Sequence, residues 1–461
     1  MLSTMKTRLF PFDLIPLVLE HVTDKRDLCN CALVDRAFHT AVTPFLYQTL
    51  DTKIRFVKVD NGSRVLHPAT TLLQQPEYAY YVRHISETAT SGDVASVLTP
   101  IYRATFPLCT NLRSYSWAGG GFLSEDDSGL VASLETIISR GFPVDQLLIR
   151  ASPGLGAAVW NQLRRLTTLR SLGLWCLEAD HEALYDWLRG LGGTLTRLEL
   201  VTSPLSDHYL EYISCLPRLR SLCLKSAARC SVLDILSMLP QLEELEIEYY
   251  GFSPTAQQFR PPVPSLRSLT ITTTAIGSGP QEMWAWIPLL VPRPSLESFT
   301  LRAFSAQRTM YIPLTFMKIL SSIHGQTLRY LAIEDVQLGS QVFNHVCRSF
   351  PHLTHLSCSL PYDATIDTVG SIITHAHELR SLKVSHGSFT LDIARARQWM
   401  VRDGSRLRSV QVGQMRFKAR SRTHLSPPIK RTQFHDCRNT LYRANGYTRH
   451  PYQATGKCPS R

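Results

Sequence analysis

Long apolar runs are missing from this sequence; "IPLLVP" at 287–292 is typical of what there is. A helix that crosses a bilayer needs about 20 consecutive apolar residues, so no membrane partner is expected. Near the start, "LFPFDLIPLVL" at 9–19 follows Lys6 and Arg8 in the manner of a secretory leader, but Pro11, Asp13 and Pro16 interrupt it and no small-residue cleavage site follows. Cysteine is present eleven times, an odd number with irregular spacing and no CxxC pair, which speaks against a disulfide framework and for reduced thiols in the cytosol or nucleus. The lone sequon at Asn61 then reads as a turn.

Signatures of catalysis are missing as well. "AGGGF" at 118–122 lacks the Lys-Ser or Lys-Thr of a phosphate loop, and there is no HExxH. His352 and His355 straddle the start of an expected strand, and His435, Cys437, His450 and Cys458 match no usual zinc spacing. No serine, threonine or cysteine sits in a recognisable nucleophile setting. No catalytic residue, metal ligand or cofactor is assigned, and the chain is expected not to be an enzyme.

Charge is sparse and unevenly spread. Charged residues make up 19% of the chain and apolar residues 44%, as in globular proteins. Residues 416–461 hold eleven Lys or Arg against Asp436 alone, so ten of the formal +12 charges sit there and two remain on 1–415. This basic tail, 416–461, is expected to be disordered. Its arginines and aromatics leave nucleic-acid binding as a weaker alternative.

What the body has in abundance is a repeat. The phrase L-x-x-L-x-L recurs as "LRSLGL" from Leu169, "LTRLEL" from Leu195, "LRSLCL" from Leu219, "LEELEI" from Leu242 and "LRSLTI" from Leu266. It continues as "LESFTL" from Leu296, "LRYLAI" from Leu328, "LTHLSC" from Leu353, "LRSLKV" from Leu379 and "LRSVQV" from Leu407. Steps of 23 to 32 residues suit one strand plus one helix per unit. Within each phrase the fourth and sixth positions point inward and the third and fifth outward. Between phrases, stretches such as "HYLEYISCLPRL" carry apolar residues at helical spacing, and Pro217, Pro240 and Pro351 mark helix exits.

One such unit cannot bury its own apolar face, but stacked units can. Residues 81–415 resemble a leucine-rich-repeat solenoid. The family's usual Asn or Cys is replaced at Leu177, Ser203, Ala227 and their equivalents, so an irregular solenoid of α/β class is expected.

Upstream, "RLFPFDLIPLVLEHVTDKRDLCNCALVDRAFHTAVTPFLYQTL" presents F-P-x-D-L-I, then V-L, then D-L-x-x-C-x-L-V-x-R-x-F and P-x-L-Y. In order and spacing, residues 8–50 are similar to the F-box, the three-helix module by which substrate receptors dock on the adaptor subunit of a cullin–RING ubiquitin ligase. Leu14, Val18 and Val22 share one helical face with Ile15 and Leu19 beside it, and Asp24 can cap a second helix. Pro16 is tolerated only in a first turn, so the first helix should begin at about Phe12. The resemblance implies that Pro11, Leu14, Ile15, Leu19, Leu28, Cys31, Val34 and Phe38 face the adaptor or lie beside that face. Residues 51–80 are a linker or first capping unit.

The combined resemblance implies a non-catalytic substrate receptor of an SCF-type ligase. A repeat scaffold with no ligase role is the alternative. The substrate would meet the outward strand positions, including Trp175, Arg197, Lys225 and Tyr330. Glu244, Glu246 and Glu248 alternate along one strand, and three such carboxylates repel each other unless a cation is near. Lys225 is a candidate for part of that charge, and the strand reads either as a solvated acidic face or as a dock for a basic substrate segment.

Overall fold

The computed structural model describes residues 13–51, 55–59, 62–88, 100–119, 127–201, 209–225, 232–249, 263–273, 280–303, 311–385, 390–420 and 433–436. The chain divides into two compact units, one of Met1–Arg308 with Lys318–Leu328, the other of Thr309–Met317 with Arg329–Arg461.

The first unit opens with three helices: α1 (Leu14–Leu19), α2 (Lys25–Ala32) and α3 (Arg36–Tyr47). Asp24 and Asp35 cap α2 and α3, their carboxylates accepting the N–H groups of Arg26 and Phe38, each at 2.8 Å. Helix α1 starts two residues later than its sequence suggests, leaving Pro16 in the first turn, where its missing N–H breaks no helical bond. Ile15, Leu19, Leu28 and Val42 form the core of these helices, with Phe38, Ala41 and Phe45 packed around them.

A mixed α/β stack follows. Its strands are β1 (Thr49–Asp51), β4 (His84–Thr88), β5 (Ser114–Ala118), β6 (Gln146–Gly154), β7 (Ser171–Glu178), β8 (Arg197–Val201), β9 (Ser221–Lys225), β10 (Glu244–Tyr249), β11 (Ser268–Thr273) and β12 (Ser298–Ala303). They lie side by side in chain order, every pair parallel. A separate antiparallel hairpin, β2 (Arg55–Val59) and β3 (Gly62–Leu66), stands between β1 and β4 in sequence. The phrase leucines sit where alternation puts them: Leu169, Leu172 and Leu174, and likewise Leu195, Leu198 and Leu200, are buried. Helices return the chain between strands. In His181–Leu191, Leu184, Trp187, Leu188 and Leu191 make the buried stripe, and Asp180 caps the start by accepting Ala183 N–H at 3.0 Å. Pro217 and Pro240 come two or three residues after helices ending at Ser214 and Met238.

The second unit continues the design with β13 (Tyr330–Gln337), β14 (His355–Ser359), β15 (Ser381–Val384) and β16 (Ser409–Val412), again parallel. Irregularity is visible as register shifts between Ala151 and Gly154 and between Ala332 and Gln337. Strand lengths vary from repeat to repeat, from four residues in β15 and β16 to nine in β6.

Neighbouring repeats are locked by one recurring device just before each strand. The carbonyl of Arg220 accepts both Glu243 N–H and Glu244 N–H, at 2.8 and 2.9 Å, and Glu243 carbonyl then does the same for Arg267 and Ser268. In the second unit, Arg329, Thr354 and Arg380 carbonyls repeat the pattern.

The sheet does not stop where the repeats do. Gly413, at φ +56°, makes a tight turn that sends β17 (Met415–Arg420) back antiparallel to β16, and β18 (Gln433–Asp436) pairs with β17 in turn. The basic tail expected to be disordered from Arg416 onward therefore begins inside the sheet. The reason is Phe417, which lies opposite Val410 and is buried, giving the strand an apolar anchor that its charge count conceals. The remainder of the tail, including Cys437, His450 and Cys458, lies outside the described residues.

Candidate functional site

Two surfaces come from the sequence: the N-terminal helices and the outward face of the sheet. In the helices, a period of 3.6 residues puts Ile15 and Leu19 on one face, and that face turns inward. Ile15, Leu19 and Leu28 are therefore core residues of the helices, so of the two positions expected above, on the docking face or beside it, their burial fits only the second. Cys31 and Phe38 are half-buried against the same core. Leu14 and Val34 are exposed as expected, while Pro11 lies outside the described residues. Exposed apolar side chains that the residue-by-residue expectation left out are Leu17 (58%), Val18 (54%) and Leu33 (84%). Leu33 follows the last residue of α2, so helical periodicity gave no signal for it.

On the sheet of the first unit, outward positions build a connected charge network. Arg150 stacks its guanidinium 4.1 Å from the centroid of Trp175, and Lys225 Nζ sits 5.2 Å from the same ring. Trp175 Nε1 donates to Glu199 Oε1 at 2.9 Å. Lys225 Nζ reaches Glu199 at 4.0 Å on one side and Glu246 at 3.4 Å on the other. Arg302 approaches Glu246 at 3.7 Å. Glu244 faces Arg197 at 3.8 Å and accepts Ser221 Oγ at 2.9 Å. Glu248 lies opposite Thr272 and is half-buried.

Register explains this convergence. Glu199, Cys223 and Glu246 are aligned across β8, β9 and β10, so Lys225, two residues beyond Cys223 on the same face, leans between two carboxylates. Burial, then Glu246, pushes the Cys223 thiol up to about 12, so it stays protonated and is no nucleophile. Glu244 and Glu246 have cations of their own chain beside them. The electrostatic reason to expect a basic substrate segment at those two carboxylates is thereby removed.

A shallow groove of about 680 Å³ runs along the strand starts of the same unit, lined by acids such as Asp145 and Glu243 and by Arg170, Arg197 and Arg220. In the second unit, the exposed ring of Tyr330 lies against His355, centroids 5.9 Å apart. Tyr330 and Trp175, both outward positions, belong to different units.

Among the described residues no group of three or more His, Cys, Asp or Glu could hold a metal ion. No described helix is long and apolar enough to cross a membrane.

No family model matches the chain, and no curated protein matches it. Among solved structures, it is similar to one described as a complex of Rad7 and Elc1 in yeast. That similarity has 15% identity and a TM-score of 0.40, and covers 72% of this chain and 75% of that one.

Proposed function

We propose that this chain is a non-catalytic substrate receptor of a cullin–RING ubiquitin ligase. Its N-terminal helices dock on the adaptor subunit, and its repeats hold a protein substrate. The observation that carries this reading is the outer surface of the helices. Leu14, Leu17, Val18, Leu33 and Val34 are all exposed within some twenty residues of chain whose own core is already complete. Large apolar side chains held out in water by a finished core call for a partner. The order of residues resembling the F-box supplies the identity of that partner. Catalysis is left to other subunits, and the chain contributes proximity. Cysteines that are free and buried, such as Cys109, Cys347 and Cys358, suit a reducing cytosol or nucleus.

The test is co-purification with the adaptor. Leu33→Asp with Val34→Asp places charge on exposed positions, so the expected result is loss of the adaptor with the melting temperature unchanged. Leu28→Asp is the wrong probe, because an unpaired carboxylate in the helical core unfolds the module itself. Undiminished adaptor recovery with the Leu33/Val34 variant would leave a repeat scaffold with no ligase role as the better reading.

A further inference from the structure

The residue just before each strand, whose carbonyl locks the next repeat, also sends a side chain to the edge of the sheet. In the first unit the row reads Arg83, Arg113, Asp145, Arg170, Thr196, Arg220, Glu243, Arg267, Glu297, and from Arg220 onward neighbours alternate in sign and pair: Arg220 with Glu243 at 3.0 Å, Arg267 with Glu297 at 2.8 Å. In the second unit the same row reads Arg329, Thr354, Arg380, Arg408, with no acid in it. All three arginines are exposed, and among the described residues no carboxylate pairs with them. The carboxylates close by in sequence are engaged elsewhere, Glu378 by Arg406 and Glu334 by Lys383. Strand β17 extends the cationic surface, placing exposed Lys418 opposite Ser409.

Adjacent strands stand about 4.8 Å apart, so Arg380 and Arg408 occupy neighbouring rungs, with Arg329 two rungs from Arg380. Like charges on neighbouring rungs repel. Between Arg220 and Glu297 the same row relieves that repulsion with glutamates, whereas among the described residues no carboxylate does so for Arg380 and Arg408.

We propose that this row binds an acidic stretch of a partner protein, with carboxylates received between Arg380 and Arg408 and at Arg329. Guanidinium forks suit carboxylates through paired N–H donors, and the exposed Tyr330 ring beside His355 gives the peptide an apolar shelf. A peptide fits better than a nucleic acid. Glu334, on the same outward side of the sheet as Lys383, would lie under a continuous phosphate chain, whereas a peptide can space its charges around it. The inference rests on the repeats being the substrate-holding part of the proposed receptor, and it does not depend on adaptor docking.

The experiment uses the full chain and the fluorescence anisotropy of a labelled oligo-glutamate peptide, with an oligothymidylate of equal charge in parallel. Arg380→Ala with Arg408→Ala should weaken peptide binding about thirtyfold, two exposed charge pairs at the upper end of their usual strength. Arg164→Ala with Arg165→Ala removes the same charge from the turn that follows the Ala157–Leu163 helix, where Arg164 faces Asp186, and should leave affinity unchanged. Melting temperature and adaptor recovery should be unaltered in both variants, which separates failure here from failure of the receptor reading. Equal peptide affinity in the Arg380/Arg408 variant and the unmodified chain would overturn the proposal. Tighter binding of the oligothymidylate, lost in the same variant, would overturn it in favour of nucleic acid.

Discussion

Replacing Lys225 with methionine removes the cation that stands between Glu199 and Glu246 while keeping most of the aliphatic stem. At 4 Å and an effective dielectric near 20, one such pair has a gross Coulomb energy of about 4 kcal/mol. Lost hydration offsets most of it, and fully exposed pairs net only about 0.2–1 kcal/mol. The Lys225 side chain is 29% exposed and meets two carboxylates, so the substitution should cost about 1–2 kcal/mol, above the exposed-pair range. The loss is bounded because Glu199 keeps Trp175 and Glu246 keeps Arg302. In a unit of this size that corresponds to a few degrees of melting temperature, read by circular dichroism at low salt. Combining Lys225→Met with Glu246→Gln should recover part of the loss, a coupling of at least about 0.5 kcal/mol in a double-mutant cycle. The sign with pH is also fixed. Burial works against the Lys225 charge, but Cys223, Glu246 and Glu199 together outweigh it and raise its pKa. A lysine with a raised folded-state pKa stabilises below the ordinary lysine value and loses that contribution as pH rises through the raised one. The gap between the unmodified chain and the methionine variant should therefore be full at neutral pH and close in strong alkali. Identical melting at low salt, or a cycle with zero coupling, would refute the network as an energetic unit.

Glu87 makes the opposite case. Burial raises its pKa although it accepts Tyr115 Oη at 2.7 Å and Ser133 Oγ at 3.2 Å. The unfolded chain therefore releases this proton first as pH rises, and stability is lost above the ordinary carboxylate range. Glu87→Gln keeps an acceptor for both hydroxyls, so it should raise the melting temperature at neutral pH and leave it unchanged in acid; an equal shift at both pH values would contradict this. Phe417→Ala should destabilise the second unit by about 3 kcal/mol, as expected for emptying a buried aromatic site. An unchanged denaturation midpoint would return β17 to the status of a dispensable tail.

The sequence alone determined the repeat, because its information is local. A strand that buries alternate residues must write Leu-x-Leu, and helices that cover the stack must write a 3.6-residue stripe. The capping role of Asp24 was legible for the same reason, as one carboxylate and one N–H two residues apart suffice. Which side of α1 faces its core was not legible, since Leu14, Ile15, Leu17, Val18 and Leu19 are all apolar and only packing against Leu28 and Val42 selects Ile15 and Leu19. Phe417 was hidden among basic residues, and its burial depends on a hairpin turn that puts it opposite Val410. Charge was legible only in part, Lys225 being readable as a cation beside the glutamate strand. Glu246, Lys225, Glu199 and Arg302 come from four strands far apart in sequence, and only parallel register makes them neighbours. The same register leaves Arg380 and Arg408 side by side with no acid between them, because a pair's sign is written in two separate repeats and its distance only in the fold.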